Sequence, residues 1–279
     1  MTVQDVREAP ALSCVESYFL AWLKGYCEPA VLYPLGFLPA ARVLEDFSEG
    51  AAYESYAGVP RMQELAERLG LVRRISLEHL ELSGLDDGLT MIRVNPRYFH
   101  GARRVPWRPD HYLAVTARVR DSYRCVDQYP PAERLVRGEE LNAWFGGRTL
   151  HYGYRGEGAT RLDEAGKEAL DRMSRLADDR PALQLSDRAL RDALGVLRVQ
   201  LKRVSAWVSL LVRQGWLCAD PAFGEYFVRR QAAFDRDYLR LELCLCRGRG
   251  EGGAQAGVME RIYGGQAELA SLIKTRRRL

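Results

Sequence analysis

The stretch Gly153-Tyr-Arg-Gly-Glu-Gly-Ala-Thr160 divides the chain by pattern as well as by position. It has the composition of a linker, and the strand signals that precede it do not return after it. A chain patterned in this way is expected to form an α+β domain at about 1–152 followed by a mainly helical domain at about 160–279. Its 279 residues are about twice the usual domain size, which agrees with two domains.

In the first part, Val15, Phe19, Trp22 and Leu23 fall at helical spacing within residues 12–26, and Ser13 is a suitable N-cap. That cap puts Cys14 in the first turn. A second helix is expected over 59–69, with Met62, Leu65, Ala66 and Leu69 as its apolar stripe and Gly70 as its stop. Leu89-Thr-Met-Ile-Arg-Val-Asn95 reads as a mostly buried strand stopped by Pro96. His111 to Val119 makes another, and Tyr123 to Asp127 a third, the last two joined as a hairpin through Asp121-Ser122. In the second part, helices are expected over about 161–178, 187–214, 222–246 and 255–276, with Ser186 capping the second and Gly248–Gly253 breaking the chain before the last. Asp86-Asp87-Gly88 is read as turn chemistry leading into a strand.

Composition narrows the function classes. A hydrophobic share of 47% and a charged share of 28% describe a globular protein with a sizeable core. No run reaches eighteen apolar residues and the opening MTVQDVREAP lacks the order of a signal peptide, so a cytoplasmic protein that neither spans nor enters a membrane is expected. The net charge of +4 is small and acidic residues are mixed among the basic ones, which argues against nucleic-acid binding and leaves room for a basic patch that docks an acidic protein. Six cysteines are scattered without a CxxC pair, so no metal site is expected and no cofactor is called for. Most are read as buried small hydrophobes.

Cys14 is the cysteine with a chemical opportunity. In the first turn of a helix the dipole favours thiolate, and unpaired backbone N–H groups point where an oxyanion would form. The chain holds four histidines: His79, His100, His111 and His151. His111 opens a strand directly after a proline-rich loop, a rigid place from which to present a base. Asp127 ends the partner strand of the same hairpin, from which a carboxylate can accept the second imidazole N–H and set its tautomer. Asp121 is the competing carboxylate, although its turn explains it without chemistry. The bland alternatives stand beside this reading: a buried structural cysteine and a surface or core histidine. Tyr98, Trp107 and Tyr112 are candidates to line an acyl or aromatic pocket, with core packing as the alternative.

The ordered run Met91-Ile-Arg-Val-Asn-Pro-Arg-Tyr-Phe99, Asp110-His-Tyr-Leu-Ala-Val-Thr116 and Cys125-Val-Asp-Gln-Tyr-Pro130 resembles the butirosin-biosynthesis-type acyltransferase family. The Cys14 helix and Leu35-Gly36-Phe37-Leu38 are similar to that family's opening region, and the resemblance covers most of residues 12–150. The family's Asp-Pro pair is here spread over Asp127-Gln128-Tyr129-Pro130, and no glutamine directly precedes Cys14, Gln4 being the nearest upstream. The resemblance implies a papain-like fold and a Cys14, His111, Asp127 triad. It further implies an acyl group taken from the phosphopantetheine thioester of an acyl carrier protein and passed to a small-molecule amine or to water, in natural-product biosynthesis. The helical part would cover one side of the cleft or dock the carrier. A peptidase or amidase with the same triad, and a non-catalytic partner-binding protein, are the rival readings.

Overall fold

Six strands pair edge to edge, all antiparallel, in the order β1-β6-β2-β3-β4-β5 in the computed structural model of this chain. The structure describes residues 1–279 except 54–57, 60, 83–84, 86–87, 102–109, 130, 157–167, 172, 174–182, 184, 247–252 and 278–279, together with the side chains of 100, 101 and 253–256. Trp107, Asp86, Asp87, Pro130 and most of the helix expected over 161–178 therefore lie outside the described residues. The chain forms two compact units, Met1–Pro29 with Met62–Ala159, and Ala30–Arg61 with Thr160–Leu279. Among the described residues no helix is long and apolar enough to cross a membrane.

The first unit is α+β. Its strands are β1 (Val72–Leu77), β2 (Leu89–Val94), β3 (Tyr112–Val119), β4 (Ser122–Gln128), β5 (Pro131–Arg137) and β6 (Phe145–Tyr154). Its helices are α1 (Val3–Glu8), α2 (Cys14–Leu23), α4 (Met62–Arg68), α5 (Pro96–Gly101) and α6 (Gly138–Trp144). Pro96 begins α5 as well as ending β2, as befits a residue tolerated in a first helical turn. Strand alternation assigns the two faces. On one, Phe19 of α2 meets Tyr152 at 5.4 Å, and the register places Leu89, Met91, Ala114 and Val126 on the same side. On the other, Ile92, Val94, Leu113, Val115, Cys125 and Val136 form a core with Tyr98 and Phe99 of α5 and Leu141 of α6. Tyr18 of α2 fastens the helix to the sheet: its hydroxyl donates to Tyr112 O and accepts from Gln128 N, both at 3.0 Å.

The second unit is helical. It contains a 3₁₀ stretch within Pro29–Gly36, α3 (Ala40–Ser48), α7 (Asp187–Arg213), α8 (Pro221–Cys246) and α9 (Gly253–Arg276). Ser186 caps α7 by accepting from Ala189 N at 3.1 Å, as its position before the apolar periodicity implies. The sequence places residues 30–61 with the first domain, whereas their packing places them in the helical unit. The reason is the buried stripe Ala40, Val43, Leu44 and Phe47 on α3, which packs against α7, and the bond from Leu38 N to Gln200 Oε1 at 3.0 Å.

Candidate active site

Ser13 has extended backbone and its hydroxyl accepts from Glu16 N at 3.2 Å, so α2 begins at Cys14. The first N–H groups of a helix have no partner within it, and Cys14 stands among them. The pattern Ser13-x-x-Glu16 is a capping-box signature, but Glu16 does not turn back to Ser13. Its fully buried carboxylate instead accepts from Leu12 N at 2.5 Å and Met62 N at 2.8 Å, tying the chain just before Cys14 to the start of α4. Cys14 is half-buried, with Sγ 3.8 Å from Asp110 O.

A single extra residue decides whether His111 and Asp127 can meet. At the turn end of the β3–β4 hairpin the pairs are Val119 with Ser122 and Ala117 with Arg124; farther along they are Val115 with Cys125 and Ala114 with Val126. The change is a β-bulge at Thr116. Without it, Asp127 would stand opposite Ala114 and face α2. With it, Asp127 falls opposite Leu113 and shares a face with His111, one step diagonally away. A one-residue slip thus moves the carboxylate across the sheet.

On that face His111 Nε2 lies 2.9 Å from Asp127 Oδ1. Both side chains are almost wholly buried, at 3% and 1% exposure. Cys14 also acts on His111 and raises it, and with Nε2 engaged by Asp127 the other ring nitrogen, Nδ1, is the one left to serve the thiol. Asp127 gathers further donors: Tyr129 N at 2.8 Å on Oδ1, the Tyr98 hydroxyl on Oδ2, and Arg134 Nη2 at 3.9 Å from Oδ2. Arg134 also donates to the Tyr98 hydroxyl at 2.8 Å and lies over the Tyr98 ring. Phe99 and Tyr98 flank the imidazole, with ring centroids 5.5 and 6.1 Å away.

The electrostatics follow from these contacts. Burial works against a charged imidazole, but hydrogen bonds to Asp127 and Cys14, with the negative charge each supplies, outweigh it and raise His111 to about 9. Tyr98 is raised far above the ordinary phenol range by burial and by Asp127, so it stays a donor. Cys125, in the core on the same face, is pushed up to about 12 by burial, and Cys27 to about 11. These two thiols behave as small hydrophobes. The arrangement at Cys14 is different: a half-buried thiol at a helix start, near an imidazole that is anchored by a buried carboxylate. An imidazole so placed can exchange a proton with sulfur and with a leaving or entering group.

Of the three residues expected to form a triad, His111 and Asp127 are hydrogen-bonded to each other, and Cys14, whose Sγ lies 3.8 Å from Asp110 O, is close enough to His111 to raise it. Of the expected pocket residues, Tyr98 is fully buried with its phenol engaged by Asp127, so it belongs to the hydrogen-bond chain behind the imidazole rather than to a substrate wall. Tyr112 is 6% exposed on the α2 face, which likewise leaves little surface for a ligand. Trp107 is outside the described residues. Gln4 is exposed and its amide donates to Glu8. Gln128 donates from Nε2 to Ser17 Oγ at 2.9 Å. Asp121 is exposed in the hairpin turn, beside Arg120 with φ of 56°.

Arg134 and Glu16 were not legible as site residues. Arg134 lies on β5, a strand whose mixed charged sequence carries no alternation signal, and Glu16 is engaged across the fold rather than along its helix. Among the described residues no group of three or more His, Cys, Asp or Glu converges as a metal site. Comparison of the chain with protein-family models and with curated proteins finds no match.

Proposed function

We propose that the chain is a cysteine-dependent acyltransferase or thioesterase of papain-like fold, with Cys14 as nucleophile, His111 as acid and base, and Asp127 as the group that orients and charges His111. The observation that supports this reading is a helix-start thiol near one buried imidazole that is held by one buried carboxylate. In the first step the Cys14 sulfur attacks the carbonyl of an acyl thioester. The C–S bond to the donor breaks, and the departing thiolate takes the proton from the His111 imidazolium. In the second step His111 takes a proton from an amine or water as that group attacks the acyl-cysteine, and the Cys14 sulfur leaves as thiolate.

Oxyanion support favours a thioester over an amide. The amides of Gln4 and Gln128 are engaged by Glu8 and Ser17, and the backbone N–H groups at the start of α2 are the proposed oxyanion donors. A thioester carbonyl is already activated and its leaving group needs little help, so a nucleophile and backbone donors suffice. The sequence resemblance supplies the donor class, an acyl carrier protein bearing a phosphopantetheine thioester, and the setting in specialised biosynthesis.

Intact-mass measurement after incubation with a panel of acyl-phosphopantetheine thioesters tests the reading. The expected result is a mass increase equal to the acyl group, located on Cys14 and absent from Cys14→Ala. Turnover of peptide or amide substrates with no adduct from any thioester would move the function to a peptidase or amidase. Loss of neither adduct nor turnover in Cys14→Ala would remove Cys14 from the chemistry.

A further inference from the structure

In the helical unit, α7, α8, α9 and the segment leading into α3 line a partly open cavity of about 50 Å³. Its walls are mainly apolar, with Leu197, Leu201, Val204, Phe234, Ile262 and Leu269 among them; Gln266 and the Tyr226 phenol also line it, and two side chains there carry buried nitrogen atoms without partners, Gln200 of α7 and Arg230 of α8.

Both present donors without acceptors. Gln200 is 4% exposed; its Oε1 accepts from Leu38 N at 3.0 Å, and its Nε2 has no partner among the described residues. The amide cannot be turned round, because its nitrogen would then face the Leu38 N–H, donor against donor. Arg230 Nε is likewise buried and unpartnered, and no carboxylate among the described residues pairs with the guanidinium. The neighbouring Tyr226 hydroxyl donates to Gly265 O at 2.9 Å. Gly265 makes room for the cation: a Cβ there would lie 2.2 Å from Arg230 Nη2. An apolar cavity with an unpaired amide N–H and a cation lacking its anion is complementary to a ligand with an apolar body and an acceptor-only, negatively charged end.

We propose that this cavity binds a short aliphatic carboxylate, its chain against the α7, α8 and α9 side chains and its two oxygens on Gln200 Nε2 and the Arg230 guanidinium. The site lies wholly in the helical unit and is independent of the chemistry at Cys14. Because the ligand touches three helices of one unit, occupancy stabilises that unit against unfolding.

Calorimetric titration of the full chain with butanoate, hexanoate, hexan-1-ol and hexylamine tests the proposal, with thermal unfolding as a second readout. The two carboxylates are expected to bind at one site per chain and to raise the unfolding temperature, the alcohol to bind on the order of 10- to 100-fold more weakly, and the amine not at all. Gln200→Glu keeps the acceptor for Leu38 N while giving Arg230 an internal anion, and is expected to lose hexanoate binding. Arg230→Met, which removes the cation with little change of bulk, is expected to do the same and serves if Gln200→Glu does not fold. Cys14→Ala is expected to bind hexanoate as the wild type does. Equal affinity for hexanoate and hexanol, absence of saturable binding by either carboxylate, or unchanged binding in folded Gln200→Glu or Arg230→Met would each overturn the proposal.

Discussion

Replacing Asp127 by asparagine tests the electrostatic core of the site without requiring knowledge of the substrate. His111 is raised from 6.5 to about 9, a difference worth about 3 kcal/mol between its charged and neutral forms. Both residues are almost fully buried, so solvent screens little of it. The sign is fixed by linkage. A histidine raised on folding contributes stability that is complete below 6.5 and is lost as pH rises through about 9. In Asp127→Asn the largest raising influence is gone while burial, which lowers His111, remains. Its titration should therefore fall well below 9, with Cys14 left as the remaining raising influence, and the stability lost between neutral pH and pH above 9 should shrink by a large part of the about 3 kcal/mol. Imidazole NMR titration and urea unfolding across that range measure the two quantities. Turnover, once a substrate is in hand, should drop by orders of magnitude because the amide can hold the wrong tautomer. Asp121→Asn, at an exposed turn position, should change none of these. If His111 still titrates near 9 in Asp127→Asn, or if Asp121→Asn shifts it instead, the carboxylate assignment fails.

Cys14→Ala should keep the fold and abolish turnover, since a half-buried thiol at a helix start contributes little packing; activity equal to wild type would exclude Cys14 as nucleophile. Tyr98→Phe preserves the ring against Trp144, 5.1 Å between centroids, and removes one donor from the buried Asp127 carboxylate, which should cost about 1–3 kcal/mol in urea unfolding; unchanged stability would mean that the phenol bond contributes nothing net. Gly88→Ala places a Cβ 2.1 Å from Tyr152 O, between β2 and β6, and should destabilise the sheet by about 1–3 kcal/mol, read as a lowered denaturation midpoint; a wild-type midpoint would show that the strands part without cost.

The sequence by itself determined what is local. The cap at Ser13, the apolar spacing of Val15, Phe19 and Leu23, and hence the place of Cys14 at a helix start are written within about ten residues, and the structure has α2 beginning there. The helices α7, α8 and α9 were legible for the same reason: long amphipathic periods bounded by Ser186 or by glycine-rich breaks. The β3–β4 hairpin was visible too, because both strands are short, β-rich and close in sequence. Beyond this, long-range packing decides. Strand β5 opens with proline and carries Glu133, Arg134 and Arg137, so only its pairing with β4 reveals it, and with it the place of Arg134 beside Asp127. Residues 30–61 join the helices because α3 finds its apolar partner on α7, a match between segments about 150 residues apart that no local pattern encodes. The bulge at Thr116 is the sharpest case. The sequence placed His111 and Asp127 on neighbouring strands, but strand side chains alternate with a period of two, and one unpaired residue, visible only in the pairing of the folded strands, determines that the imidazole and the carboxylate face each other and not opposite sides of the sheet.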